Sequence, residues 1–263
     1  MWHFNNNEDK SYANDRLRKP TPLVNKLLDR FQMIIKPGSD VCIDETLVPF
    51  RGRLRFRQYI KNKKNKFGIK LYKLCTAGGY TFNLKIYCGL DNTGGGNASS
   101  NAVMSLMSEL LDTGRILYTD NYYTSVSLAT QLLQRKTHLV GTVRFNRKGN
   151  PKEVLNKKLK KHEVIGQESG TGIVMLKWKD TRDVLLLTTV HTDEIIKVHQ
   201  RGKEIEKPQA IVDYNKSKAY IDLSDQLKTS SHCLRRGNKW YRKLAIELIF
   251  GSTLVNAFIC TKK

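Results

Sequence analysis

The chain has 263 residues, 40% of them hydrophobic, which is enough for one large domain, or a domain with a subdomain, around a real core and excludes a disordered tail. Lys and Arg number 46 against 24 Asp and Glu, a net charge of +22 that points to a polyanion, with nucleic acid favoured over an anionic membrane because no basic amphipathic helix with a bulky apolar face stands out. Five widely spaced cysteines without a C-x-x-C pair argue against a disulfide scaffold or a zinc knuckle and suit a reducing compartment.

The first residues, MWHFNNNEDK, lack the apolar core of a signal peptide, so secretion is not expected. TPLVNKLLDRFQMIIKPG predicts an amphipathic helix: Pro22 suits its first turn, apolar residues recur at helical spacing from Leu23 to Ile35, and Pro37-Gly38 ends the pattern. VCIDETLV (41–48), GIKLYKLCTA (68–77) and YTFNLKIYCG (80–89) read as strands, with Gly78-Gly79 as a short hairpin turn between the last two. The loop holding Gly94 to Gly96 lacks the Lys and Ser/Thr of a phosphate-cradling loop and reads as a flexible connection.

NAVMSLMSELLDTG predicts a helix ended by Gly114, followed by a strand RILYT, a helix TSVSLATQLLQRK and a strand HLVGTV. Three strands, helix, strand, helix, strand is an α/β order. From Arg147 to about Pro208 the texture becomes basic and β-rich: GIVMLKWK and DVLLLTTVH flank the turn Asp180-Thr181-Arg182, as in an inserted β subdomain. Helical texture returns in YIDLSDQLKTS and in NKWYRKLAIELIFGSTLVNAFIC. The most apolar stretch, Leu244 to Cys260, contains Glu247 and Asn256 and is short for a bilayer span, so it reads as a buried helix.

Four acids interrupt this framework. Asp44 lies inside a strand pattern, where Asp is disfavoured without a role or a solvated face, and an outward-facing strand residue is the plain alternative. Asp120, in YTDNYYTS, ends a short apolar run, which also fits an ordinary turn or helix cap. Asp222 and Asp225 share a helix face by their spacing, and such a pair is usually solvated. Taken together, an acid on the first strand, another at the end of a later strand and the remainder on a late helix follow the order of ribonuclease H-like nucleases and transposases. Clustered carboxylates are hard oxygen ligands that repel one another unless cations bind, and two-metal sites place such ions roughly 3.5 to 4 Å apart on a scissile phosphodiester.

The wording around these acids is more specific. Asp44-Glu45 followed by PFRGRLRFRQYIKNKKNKFGIK, then YTDNYYTS, VGTVRFNRKGNP, YNKSKAYIDLSDQ and RRGNKWYRK resembles, over essentially the whole chain, the piggyBac family of DNA transposases and the host proteins derived from them. The resemblance implies an α/β fold with a ribonuclease H-like mixed sheet flanked by helices and an inserted β-rich subdomain. Its division would be a helical remnant of a DNA-binding and dimerisation region at 1–40, the first part of the catalytic core at 41–146, the insertion at 147–208 and the helical second part of the core at 209–263. It carries over Asp44, Asp120, Asp222 and Asp225 as catalytic and metal-binding acids, with Mg²⁺ or Mn²⁺ as cofactor. The implied reaction is cut-and-paste transposition: a water nicks one strand, the freed 3′-hydroxyl attacks the opposite strand to form a hairpin, and the reopened end joins target DNA at TTAA.

Family members carry further N-terminal sequence and a cysteine-rich zinc-binding C-terminal domain, so the expectation is a truncated copy or a domesticated remnant. Tyr220-Ile221 stands where the family commonly has Gly-Val, which is expected to alter the packing of that helix. The basic run Arg51, Arg53, Arg55, Arg57, Lys61, Lys63, Lys64 and Lys66 is either a solvated hairpin face or a phosphate-contacting strip; the total charge and the adjacent acid-bearing strand favour the second, with Arg51, Arg53, Arg57, Lys61, Lys63 and Lys66 as DNA contacts. NKKLKKHE is a weaker DNA or nuclear-import candidate. His191 and His199 lack metal-ligand spacing and read as structural, and Trp178 and Trp240 read as packing residues. The functional expectation is a nuclear, metal-dependent transposase core acting on double-stranded DNA at transposon ends and TTAA targets, without a membrane partner and in a form open to homodimers. The alternative is a domesticated, catalytically impaired DNA-binding protein.

Overall fold

The computed structural model describes residues 4–6, 15–61, 63, 65–89, 98–200, 202–230, 233–234 and 237–262. In chain order the elements are α1 (Thr21–Ile34), β1 (Asp40–Pro49), β2 (Gln58–Tyr59), β3 (Phe67–Thr76), β4 (Thr81–Ile86), α2 (Ala98–Met107), β5 (Ile116–Thr119), α3 (Val126–Gln134), β6 (His138–Thr142) and α4 (Lys152–Asn156). They continue with β7 (Val164–Glu168), β8 (Val174–Lys179), β9 (Asp183–Thr188), β10 (Ile195–Gln200), β11 (Lys203–Pro208), α5 (Gln209–Thr229), α6 (Trp240–Glu247) and α7 (Thr253–Cys260), a π-turn at Leu248–Ser252 linking the last two. This is a mixed α/β fold whose large sheet runs β2-β3-β1-β5-β6-β9-β8-β7, with β4 also on β3. The expected Gly94–Gly96 connection lies outside the described residues.

The chain divides into two units, and β1 contributes to both. The first comprises residues 1–37, 44–98 and 220–263. Here β3 pairs antiparallel with β4 and with the two-residue β2. A core of Val48, Phe50, Phe56, Ile69, Leu71, Leu84 and Ile86 closes against Leu244 and Leu248 from the C-terminal helices, burial that supplies the main driving force. By length and composition Trp240–Cys260 could cross a membrane. One of its polar residues is bonded internally: buried Asn256 accepts from Thr81 N and donates to Thr81 O, both at 2.8 Å, so its amide is satisfied where water cannot reach.

The second unit comprises residues 38–43 and 99–219. The start of β1 pairs parallel with β5 from Asp40↔Ile116 to Ile43↔Thr119, and β5 pairs parallel with β6. Parallel strands need crossovers, and α3 with its Ser125 cap provides the one between β5 and β6. Strand β9 then joins β6 antiparallel, followed by β8 and β7, while β10 and β11 form a separate hairpin.

Three features differ from the sequence expectation. A fourth strand, β2, precedes the first helix after β1; at two residues it carries no periodic signal. Strands β7, β10 and β11 join the two β-rich runs expected after Arg147, and β7 shows no apolar alternation because its last three residues are exposed. Helix α5 starts at Gln209, about three turns before Tyr220, through the polar stretch AIVDYNKSK.

The Gly78-Gly79 pair joins β3 to β4 as expected, both residues in the left-handed region. Gly79 is constrained twice over, since a Cβ there would stand 3.0 Å from Ser224 N and 3.2 Å from Tyr220 O on the backbone of α5. Gly114, also left-handed, has open space around it. Gly114→Ala should therefore cost only the left-handed penalty of about 1–2 kcal/mol. Gly79→Ala should add an overpacking cost of about 1–3 kcal/mol. Urea unfolding of the two variants checks the difference; equal losses would mean that α5 does not press on this turn.

Candidate functional site

In the second unit, the sequence DNYYTS folds as a tight turn at the end of β5. The Asp120 carboxylate accepts from Tyr122 N at 2.9 Å, the Asp120 carbonyl accepts from Tyr123 N, Thr124 N and the Thr124 hydroxyl, and the Ser125 side chain then caps α3. The turn reading and a functional reading of Asp120 are therefore compatible: the turn fixes the carboxylate. Gly141 of β6 lies beneath it, where a Cβ would collide with the Thr124 hydroxyl and come within 2.5 Å of the Thr119 carbonyl oxygen. Two arginines absent from the sequence-level candidates brace this turn. Arg147 donates to the Tyr122 carbonyl at 2.5 Å, and Arg144 donates to the Asn121 side chain at 3.2 Å. The motif VRFNRKGN that contains them was the available signal.

The parallel ladder between β1 and β5 ends on the pair Ile43↔Thr119, and the next residue on each strand is a candidate acid, Asp44 and Asp120. Asp44 is half-buried, and its carboxylate accepts from Glu45 N at 2.7 Å.

In the first unit, Asp222 and Asp225 lie one turn apart on α5 in different surroundings. Asp222 is exposed, with no hydrogen-bond or ion-pair partner among the described residues. Asp225 is the centre of an ion network. Lys228 reaches it at 2.9 Å and also reaches Glu247 at 2.9 Å, Lys73 stands 3.6 Å away, and the Thr46 hydroxyl donates to its other oxygen. The Lys73 side chain is fully buried and also donates to Ser224 at 2.8 Å. Burial opposes ionisation of Asp225, but Lys73 and Lys228, with the Thr46 hydroxyl, outweigh it and hold the carboxyl below the usual range. The same burial disfavours the charge on Lys228, and Asp225 with Glu247 outweighs it in turn. Sequence reading did not assign Thr46, Lys73, Lys228 and Glu247 to a site; a lysine inside the apolar pattern of GIKLYKLCTA and Glu247 inside the apolar stretch from Leu244 were the hints.

The basic segment after β1 is divided in its duties. Arg51, Arg53, Arg55, Lys61 and Lys66 are exposed. Arg57, though exposed, donates to the carbonyls of Arg51 and Gly52, and Lys63 donates to the Glu45 carbonyl, so both shape the segment. Lys64, Arg235 and Arg236 lie outside the described residues. Of the two histidines read as structural, His191 joins Thr188 and Asp213 in a hydrogen-bonded chain at 2.9 and 3.0 Å. Trp240 packs edge-on to Phe56 at 5.2 Å.

Whether these acids suit a divalent ion depends on their donors and their partners. Carboxylate oxygens are the hard ligands that Mg²⁺ and Mn²⁺ take, and Asp44, Asp120 and Asp222 supply them. Asp225 already faces two ammonium groups and fits that role less well. Among the described residues, no three His, Cys, Asp or Glu side chains gather as a ready metal cluster.

Comparison with known proteins places this arrangement in a class. A family model described as transposase IS4 matches residues 1–258. PiggyBac transposable element-derived protein 3 of Homo sapiens is 26% identical over 243 residues, covering 86% of this chain and 41% of its own. The human chimeric ERCC6-PGBD3 protein is likewise 26% identical over 243 residues, 86% of this chain and 23% of that one. A cryo-EM structure of the piggyBac transposase synaptic complex with hairpin DNA superimposes with a TM-score of 0.85 at 29% identity, over 96% of this chain and 54% of that one. The chain belongs to this transposase family, in its piggyBac-like group. It spans less than half the length of these curated relatives.

The Asp225 network makes stability depend on pH. Because the folded carboxyl titrates below its ordinary value, its contribution is complete above that value and is lost as pH falls through the lower, folded one. Asp225→Asn should cost on the order of 2 kcal/mol near neutral pH, less than the roughly 3–5 kcal/mol of a fully enclosed pair because Asp225 is a third exposed. The gap between variant and parent should close on acidification, as followed by chemical unfolding at several pH values; a gap independent of pH would contradict the ion-pair account.

Proposed function

We propose that this chain is the phosphodiester-cleaving and strand-transfer core of a piggyBac-type DNA transposase, with Asp44, Asp120 and Asp222 as the acids at the reacting phosphate. The observation that carries the reading is the parallel register of β1 and β5, which ends one residue before a candidate acid on each strand. The orientation of the two carboxylates by the N–H groups of Glu45 and Tyr122 supports it, because a group fixed before substrate arrives pays no ordering cost at the moment of reaction. Asp222 supports it by lying exposed on α5 without a polar partner among the described residues. Asp225, grouped with these acids by resemblance, acts in this reading through its lysines, holding α5.

The three carboxylates would hold Mg²⁺ or Mn²⁺, which when bound activates a nucleophile and neutralises charge on the phosphodiester. The rest falls to the chain itself. Arg51, Arg53, Lys61 and Lys66 contact phosphates and position the duplex without reading its sequence, while Arg57 and Lys63 keep that segment in shape. The substrate class is double-stranded DNA at transposon ends and TTAA targets. Hairpin DNA in the superimposed transposase complex supports a hairpin step. Action as a homodimer, in the nucleus, completes the reading. A second reading, a domesticated DNA-binding protein with impaired catalysis, draws support from the name of the human relative, a transposable element-derived protein.

Asp44→Asn, Asp120→Asn and Asp222→Asn should each lower Mg²⁺-dependent cleavage of a transposon-end duplex at least about 100-fold, the scale on which losing one preorganised charge contact slows a reaction. Duplex binding without metal should be retained in all three. Cleavage undiminished in Asp120→Asn would sink the catalytic reading; no cleavage by the parent chain, with intact duplex binding, would favour the domesticated one.

A further inference from the structure

Two basic motifs that are far apart in sequence meet in the first unit. A cleft of about 510 Å³ is lined by Arg51 and Gly52 from FRGR, by Lys66, and by Gly237, Asn238 and Lys243 from RRGNKWYRK. Three cations face it, and among the described residues none of them has an ion-pair partner and no carboxylate stands in the wall. In the same unit, by contrast, Lys73 and Lys228 meet Asp225, and Lys70 lies 3.9 Å from Glu45. Lys243 is partly withdrawn from water, and that desolvation pushes its ammonium below the ordinary lysine range, so it carries a cost that an arriving anion would offset. The helix α6 starts beside the cleft, just after Asn238. Its first turn has no acidic residue and its N-cap, Lys239, makes no side-chain cap bond, so the positive end of the helix is uncompensated as well.

We infer that this cleft is a phosphate seat, holding one backbone phosphodiester of a nucleic-acid strand between Arg51 and Lys66 on one side and Lys243 with the start of α6 on the other. The assignment rests on the DNA-acting reading above and adds to it a discrete anchoring point that involves a lysine outside the basic run. A phosphate held there fixes register along the strand and carries no base preference.

The test is the salt dependence of binding to a short duplex of unrelated sequence in metal-free buffer. It compares the chain with Lys243→Gln and with Lys26→Gln, an exposed lysine on α1 in the same unit, after circular dichroism confirms that each is folded. Lys243→Gln should reduce the slope of log K against log salt by about 0.9, the value of one released phosphate contact, and Lys26→Gln should leave it unchanged. An unchanged slope in Lys243→Gln, or equal reductions in both variants, overturns the inference. Calorimetry with inorganic phosphate alone separates the sources: heat abolished by Lys243→Gln without a change in the duplex slope would reassign the cleft to a small free anion and overturn the nucleic-acid assignment. A reduced slope without Asp120-dependent cleavage would leave the phosphate seat standing and remove the catalytic reading alone; cleavage with an unchanged slope would do the reverse.

Discussion

An ammonium group sealed away from water must be neutralised where it stands, and Lys73 sets that condition for the first unit. Its side chain is fully buried on β3, and its charge is met by Asp225 and its donors by Ser224, both on α5. Lys228 extends the network to Glu247, next to the π-turn that links α6 to α7. The signs balance, two lysines against two carboxylates, as buried charge requires. A rotation of α5 would break the bonds that Lys73, Thr46 and Glu247 make to it, so the network fixes which face of that helix carries Asp222. The Gly79 turn acts to the same end by steric contact, pressing backbone against backbone.

The second unit depends on hydrogen-bond register. A parallel ladder permits no slippage by one residue without turning every side chain to the opposite face, so the register that ends on Ile43 and Thr119 is fixed. The turn after Thr119 then fixes the Asp120 carboxylate through a backbone N–H, with Arg147 bracing the turn from outside. Each carboxylate is thus oriented by a neighbouring backbone N–H, Asp44 within β1 and Asp120 just past the end of β5, before any ligand arrives.

Much of this was legible in the sequence, and the exceptions share a cause. Helix α1, the strands β1 and β3, and the β5-α3-β6 crossover have full apolar periods, and each was found close to its predicted bounds. Short or exposed elements such as β2, β7 and the β10–β11 hairpin bury too little on one face to leave a pattern. The turn at Asp120 could be read because its chemistry is local. The Lys73 network could not, since Ser224 lies 151 residues away and nothing in GIKLYKLCTA names its partner. For the same reason Asp222 and Asp225 look alike in sequence, two acids on one helix face, and differ only in what the fold places against them.

That difference is the most exposed point of the account, and Mn²⁺ calorimetry in the presence of a TTAA-containing duplex addresses it directly. The parent chain, Asp222→Asn and Asp225→Asn would be titrated side by side under conditions where all three are folded. The account predicts that the binding heat disappears in Asp222→Asn and persists in Asp225→Asn. Heat that persists without Asp222 and vanishes without Asp225 would contradict it, and would make the lysine-paired carboxylate the metal ligand.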